Sequence, residues 1–247
     1  MSCPGDEKPI RFKNGEKGLK MEYQSSSHVS GNNRRIGKVS IIIEHLEPVL
    51  GKWIWLEYTH VSNIVGCKNL LFTNVRKRAE AIKLKEIGKV TRISIMNMRQ
   101  NQNRSTIILD PQATDPLSPV DFHDNTCLII GGILGDHPAS GKTKRILTDN
   151  MPFLLSRNLG HDQFSVDGAV HVAMQIASGK SIADIPVKIG VEIAVNKRVS
   201  SFLPFAYPTV KGKPLLAPGL REYLRKEVYK DEEILFKTGM PRSVAKG

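Results

Sequence analysis

From Val39 onward, two rhythms of apolar and polar residues take turns along the chain. VSIII at 39–43 is an unbroken apolar, β-branched run of strand length. Residues 50–65 then follow a helical period: at steps of about 100°, Trp53, Ile54, Tyr58, Val61, Ile64 and Val65 share one arc, which predicts a helix with one face on a core. NLLFT (69–73) reads as a short strand, 76–87 as a Lys/Arg-rich helix and VTRISIM (90–96) as a more polar strand. STIILD (105–110) is a strand ending at Pro111, and CLIIGG (127–132) is a buried strand running into a glycine turn. KTKRIL suggests a short helix, FLLS (153–156) a strand, 164–178 a helix rich in Ala, Val and Met, and VEIAV (191–195) a late strand. Apolar strands alternating with helices predict an α/β domain whose parallel sheet is covered on both faces. Residues 1–37, with the text SSSHVSGNNRR and no apolar period, read as a basic disordered extension.

Composition narrows this picture. With 247 residues, 40% of them apolar, the chain can bury one sizeable core. The three cysteines (Cys3, Cys67, Cys127) are odd in number and widely spaced, which excludes a disulfide framework and a CxxC clamp and favours a reducing compartment. The longest apolar stretch, near 127–134, is too short to span a bilayer. Ser2 rules out N-myristoylation, and no charged-then-apolar leader opens the chain, so a cytoplasmic protein away from membranes is expected.

The net charge of +12 is unevenly placed. Segment 76–104 carries nine Lys/Arg against two acids and 196–247 eleven against five, whereas 105–195 carries six against ten. Basic flanks around an acidic middle suggest contact with nucleic acid or a ribonucleoprotein.

Ligands of open parallel sheets bind beyond the carboxyl ends of the strands, and three turns fall there: Asp110-Pro111-Gln112, the stretch from Gly131 to Pro138, and the stretch from Asn158 to Gln163. GDHPASGKT is not a phosphate loop. Asp136 stands where that motif needs glycine, and Pro138 removes a backbone donor. GGILGD lacks the dinucleotide spacing, and the histidines show neither HxxxH nor HExxH, so no metal is expected.

IIEHLE…W..LEY at 42–58, LDP.AT at 109–114, GGILGDHP…TK at 131–144, SRNLG.DQ at 156–163 and PFAY…GKPLLAPGL at 204–220 resemble the SPOUT-class protein arginine methyltransferases. The resemblance covers roughly 38–227. It implies a SPOUT-type parallel sheet with a C-terminal deep trefoil knot and S-adenosyl-L-methionine bent into a pocket of knot loops. Periodicity alone shows no knot. Carried over by position, Leu109 and Pro111 would flank the adenosine; Gly131, Gly132, Leu134, Gly135, His137 and Pro138 would wrap the ribose and methionine; and Leu159, Gly160, Gln163 and Ser165 would face the adenine edge. Relatives often carry basic residues after GDHP, where this chain has Ala139-Ser140-Gly141. On this basis 1–37 is an extension, 38–210 the methyltransferase domain and 211–247 a basic C-terminal segment.

Arginine is a difficult methyl acceptor, because its guanidinium is cationic and its lone pairs are delocalised. A carboxylate that grips it bidentately orients one nitrogen and draws charge from it. Glu57 lies within the apolar arc of the 50–65 helix, so it is either paired or lines a cavity. Asp136 sits in the glycine loop and Glu44 closes the first strand; these three are the candidate catalytic residues. Asp167, in the first turn of the 164–178 helix, reads as mainly structural or as a contact to the cofactor amine. The expected activity is methyl transfer from S-adenosyl-L-methionine to an arginine of a small-subunit ribosomal protein by a monomer, with rRNA contact through 76–104. The alternative is a SPOUT methyltransferase of tRNA or rRNA. A third reading, a ribosome-biogenesis factor without turnover, is disfavoured by the retained GGILGDHP and LGHDQ loops.

Overall fold

The computed structural model describes residues 38–98, 105–196 and 198–245. The proposed disordered extension, 1–37, lies outside them, as does part of the basic stretch at 99–104.

Six strands, β1 (Ser40–His45), β2 (Leu70–Thr73), β3 (Lys89–Val90), β4 (Thr106–Leu109), β5 (Cys127–Gly132) and β6 (Leu155–Arg157), form one parallel sheet in the order β3-β2-β1-β5-β4-β6. The predicted continuous apolar runs are there for the expected reason. Alternate residues of β1 point to opposite faces, and both faces are covered. Ile41 and Ile43 join Ile107, Leu128 and Ile130 under the helices, while Ile42 joins Ile108, Ile129, Leu147 and Met151 on the other side. Each such fully buried aliphatic side chain contributes about 1.5–3 kcal/mol.

Helix α1 (Lys52–Val65) places Ile54, Tyr58, Val61 and Val65 on the sheet as its period predicts. It packs beside α3 (Val166–Ala177), whose start is set by Ser165, an extended residue whose hydroxyl accepts from the Gly168 amide at 3.3 Å. Trp53 and Trp55 face different clusters, and both are half-buried; the Lys83 ammonium lies 4.8 Å from the Trp55 ring centre.

Several elements differ from expectation. The run 90–96 is not a strand: β3 stops at Val90, and a single 3-10 turn follows at Ile95–Asn97. Backbone bonds still tie it to the end of β2, from the Thr91 amide to the Phe72 carbonyl and from the Val75 and Asn74 amides to the Thr91 and Ile93 carbonyls. Beyond them side chains take over, Glu44 accepting from the Ile95 amide and Ser94 from that of Met96. The basic helix is only α2 (Arg78–Leu84), KTKRIL forms a π-turn at Lys144–Thr148, and β6 begins two residues later than FLLS, leaving Phe153 exposed. The late strand belongs to a second sheet. There β7 (Val187–Ala194), β8 (Ser200–Val210) and β9 (Lys213–Pro214) are antiparallel.

The expected boundary at 210 does not separate two bodies. Helix α4 (Leu220–Lys226) buries Leu220, Tyr223 and Leu224 against Val191, Ile193, Leu203 and Tyr207. After α5 (Val228–Thr238) the chain returns: Arg242 pairs with Asp231 at 3.0 Å, and the Val244 amide donates to the Leu50 carbonyl at 2.8 Å. No helix among the described residues is long and apolar enough to cross a membrane.

Candidate active site

A cleft opens beyond the carboxyl ends of β4 and β5, where the strand-end rule places it. Its apolar compartment is lined by Leu109, Pro111, Ile130, Ile133, Leu159, Phe164, Val166 and Ala169, with Gly131 at its floor. A polar compartment continues from it, sharing Asp110, Pro111, Ile133, Thr143 and Gln163 and adding Gln112, Asp136, Ser140 and Lys142.

The turns that build the cleft brace one another. Buried Asp110 accepts from the Gln112 amide at 2.9 Å and from the Thr148 hydroxyl at 2.6 Å, closing its turn over Pro111. Asn158 accepts from the Gly160 amide at 2.9 Å and donates to the Ala113 carbonyl at 2.8 Å. Gly160 adopts φ +101°, a conformation that side-chain-bearing residues rarely take. Gly135 lies so close to Gln163 and Phe205 that a Cβ there would stand 2.5 Å from the Gln163 amide group.

The residues predicted to meet the cofactor divide into two groups. Leu109, Pro111, Gly131, Leu159 and Gln163 line the cleft. Gly132, Leu134, Gly135, His137, Pro138, Gly160 and Ser165 line neither compartment. Gly132 is the last residue of β5, and its carbonyl accepts from the Tyr58 hydroxyl at 3.1 Å. A Cβ there would stand 2.1 Å from that hydroxyl, so this glycine serves close packing of α1 on the sheet. Leu134 packs on the main core, His137 and Pro138 are exposed, and Ser165 caps α3. Ile130, Thr143, Val166 and Ala169 lie outside the three predicted turns and reach the cleft through strand and helix geometry.

The candidate carboxylates do not converge. Asp136 is in the polar compartment, half-exposed, paired with Lys142 at 2.6 Å and bonded by the Ser140 hydroxyl. These donors hold its pKa below the ordinary value. Glu57 is buried, accepting from the Trp53 indole at 2.7 Å and from the Val166 amide at 3.0 Å. Burial pushes its carboxyl up to about 8, nearby Asp167 adds to the rise, and the two donors oppose it. Glu44 is fully buried on the opposite face, where one oxygen takes the Thr73 hydroxyl and the Ile95 amide. It braces the turn after β3 and lines neither compartment of the cleft. Asp167 is buried and bonded to His60 at 2.7 Å.

Two further groups near the site fall inside the PFAY and IIEHLE motifs but receive no role in the sequence reading. The Tyr207 hydroxyl is buried without a partner, and burial, with Glu57 and Asp167 adding, holds it protonated far above the usual range. Recognising β8 would have located it. Glu47, in the loop after β1, accepts from the Leu134 amide at 2.7 Å; its signal was the second carboxylate of IIEHLE. No cluster of His, Cys, Asp and Glu among the described residues is placed to hold a metal ion.

Residues 40–231 match the family described as Protein arginine N-methyltransferase SFM1-like. That match spans most of the chain. The chain belongs to the SFM1-like protein arginine methyltransferase family. Protein arginine N-methyltransferase SFM1 of Saccharomyces cerevisiae is 30% identical over 200 residues, covering 75% of this chain and 94% of that relative. The crystal structure of yeast SFM1 complexed with SAM is similar at a TM-score of 0.68 and 29% identity, covering 76% of this chain and 91% of the other. The structure of the same enzyme complexed with SAH gives 0.67 and 29%, over 75% and 94%. Against this family frame the α/β architecture and its parallel sheet agree with the sequence reading.

Proposed function

We propose that this protein transfers a methyl group from S-adenosyl-L-methionine to an arginine side chain of a small-subunit ribosomal protein. Membership of the SFM1-like family across 40–231, the region that builds the whole cleft, carries the reading. The donor set fits the cofactor. An apolar slot suits an adenine ring, and the buried Gln163 Oε1, on the wall shared by both compartments, has no protein partner and can accept from a ligand donor. Leu109, Pro111, Gly131, Leu159 and Gln163 would hold the cofactor, and bound S-adenosyl-L-methionine supplies an activated methyl group on its sulfonium. The reading includes a deep trefoil knot with 131–138 and 159–165 among its loops, a monomeric state and a cytoplasmic setting.

The residues of the chain act by orientation. Asp136, held charged by Lys142 and Ser140, brings negative charge to the polar compartment beside the slot. Glu57 acts at a distance, since its oxygen holds the first amide of α3 and thereby sets Val166 and Ala169 on the cleft wall. Excluding water from the apolar slot strengthens each electrostatic contact within it.

The cleft contains one aromatic side chain, Phe164, so it offers a poor stacking platform for a nucleobase, the requirement of an RNA substrate. The exposed Arg76, Lys77, Arg78, Lys85, Lys89 and Arg92 suit docking on rRNA around a protein target. Incubation with labelled S-adenosyl-L-methionine and ribosomal extract decides the matter. Label that survives RNase and is recovered as methylarginine after acid hydrolysis is expected. Label found only in a modified nucleoside gives the protein to the RNA reading.

A further inference from the structure

Most carboxylates around the cleft are already held by hydrogen-bond donors, and Asp162, which lines it, is exposed. Asp136 has Lys142 at 2.6 Å, Asp167 has His60 at 2.7 Å, and Asp110 is saturated by the Gln112 amide and the Thr148 hydroxyl. Glu57 is enclosed in the core. Glu47 differs. It lines neither compartment itself but stands behind Ile133, half-buried, with one oxygen oriented by the Leu134 amide at 2.7 Å and with Lys142 acting on it only at a distance.

Its position follows from the sheet. β1 lies beside β5, with Glu44 opposite Gly131 and His45 opposite Gly132, so the loop after β1 meets the glycine loop after β5. The Leu134 amide that Glu47 grips is joined directly to Ile133, which lines both compartments. Asp136, two residues further on, is close enough to repel Glu47. Lys142 is committed to Asp136 at 2.6 Å, and among the described residues no cation lies within ion-pair distance of Glu47, so a guanidinium arriving at this edge of the cleft would be its first close partner.

We propose that Glu47 is the carboxylate that receives the acceptor guanidinium, with its Leu134 hydrogen bond fixing one oxygen and leaving the other to the incoming cation. A planar guanidinium offers paired donors that a fixed carboxylate selects over the point charge of a lysine ammonium. Burial raises the Glu47 pKa, as expected of a carboxylate short of a cation, and a bound guanidinium would reverse that shift. The assignment rests on arginine being the acceptor.

Glu47→Gln separates the two duties of the side chain, because an amide oxygen can still accept from Leu134 while the charge is gone. With a small-subunit ribosomal protein fraction as substrate, its KM should rise about tenfold or more. Cofactor affinity by calorimetry should change less than about twofold, because the loop keeps its hydrogen bond. Glu47→Asp, which keeps the charge, should restore part of the loss. Independently of folding in any variant, acetyl-arginine-amide titrated into the wild type with S-adenosylhomocysteine bound should shift the Leu134 amide resonance, and acetyl-lysine-amide should not. A wild-type KM in Glu47→Gln, or a Leu134 amide indifferent to acetyl-arginine-amide in an active enzyme, overturns the Glu47 assignment alone. Wild-type protein that carries no label into arginine removes both it and the proposed activity.

Discussion

Glu57 shows what a single residue can and cannot disclose. Its folded pKa is raised from 4.5 to about 8, so the folded state holds its proton more tightly than the unfolded chain does. The associated stability is fully present below about pH 4.5 and is lost as pH rises through about 8. The melting temperature of the wild type should therefore fall between about pH 5 and 8 more steeply than that of Glu57→Gln, read by calorimetry across a buffer series. Below about pH 5 the variant should also be less stable, by about 1–3 kcal/mol, because its NH2 would face either the Trp53 or the Val166 donor, and the gap should close as pH rises. Equal slopes in the two proteins would show that Glu57 is ionised throughout. The apolar arc of the 50–65 stretch was enough to mark this carboxylate as out of place. Its partner was not legible, because the Val166 amide comes from a distant part of the chain and becomes a neighbour only when α3 packs on α1. Glu44 was misleading for a related reason: strand-end position is visible in sequence, but which face of the sheet holds the cleft is not.

At the level of elements, β5 carries two adjacent glycines with different duties. Gly131 lines the slot, and a Cβ there would meet the Thr143 hydroxyl at 3.3 Å; at Gly132 it would meet Tyr58 at 2.1 Å. Gly131→Ala should keep the fold and weaken S-adenosyl-L-methionine binding in calorimetry. Gly132→Ala should lower the melting temperature sharply, by the 1–3 kcal/mol or so typical of overpacking. A stable Gly132→Ala with normal melting would mean that α1 can move off the sheet at no cost. Strands β1, β2, β4 and β5 and helices α1 and α3 were readable because burial on both faces or on one stripe writes itself as period. Strand β8 was not. Pro204, Pro208 and the nearby Gly212 interrupt its pattern; Pro204 is tolerated at the register shift between Ile189 and Val191, where it has no partner, and Pro208 stands opposite Val187 at the end of the β7 pairing. Missing β8 hid Tyr207 and Phe205, the parts of the cleft's surroundings contributed by the second sheet.

Across the whole molecule, charge and chain order carry the remaining information. The exposed cations of 76–98 belong to α2 and its flanks, whereas Lys77 is partly engaged by Glu80 at 3.6 Å and by the Pro48 carbonyl. Reversing Arg76, Arg78 and Lys85 to Glu should therefore weaken sedimentation with small ribosomal subunits and flatten its salt dependence. Cofactor affinity should stay unchanged, and an unaltered salt slope would remove this surface from docking. The basic stretch was legible in the sequence as charge, but its shape was not, because the VTRISIM run keeps backbone bonds to residues 72–75 without forming a regular strand past Val90. The strand order has a further consequence, one of timing. β1 opens the sheet in sequence yet occupies its middle, and its second edge stays open until Cys127–Gly132 has been made. Pairings of such long separation close slowly, and an apolar edge left waiting invites self-association. A nascent chain released before Gly132 would present the bare flank of its own central strand, so survival of this protein in the cell depends on the completeness of its synthesis.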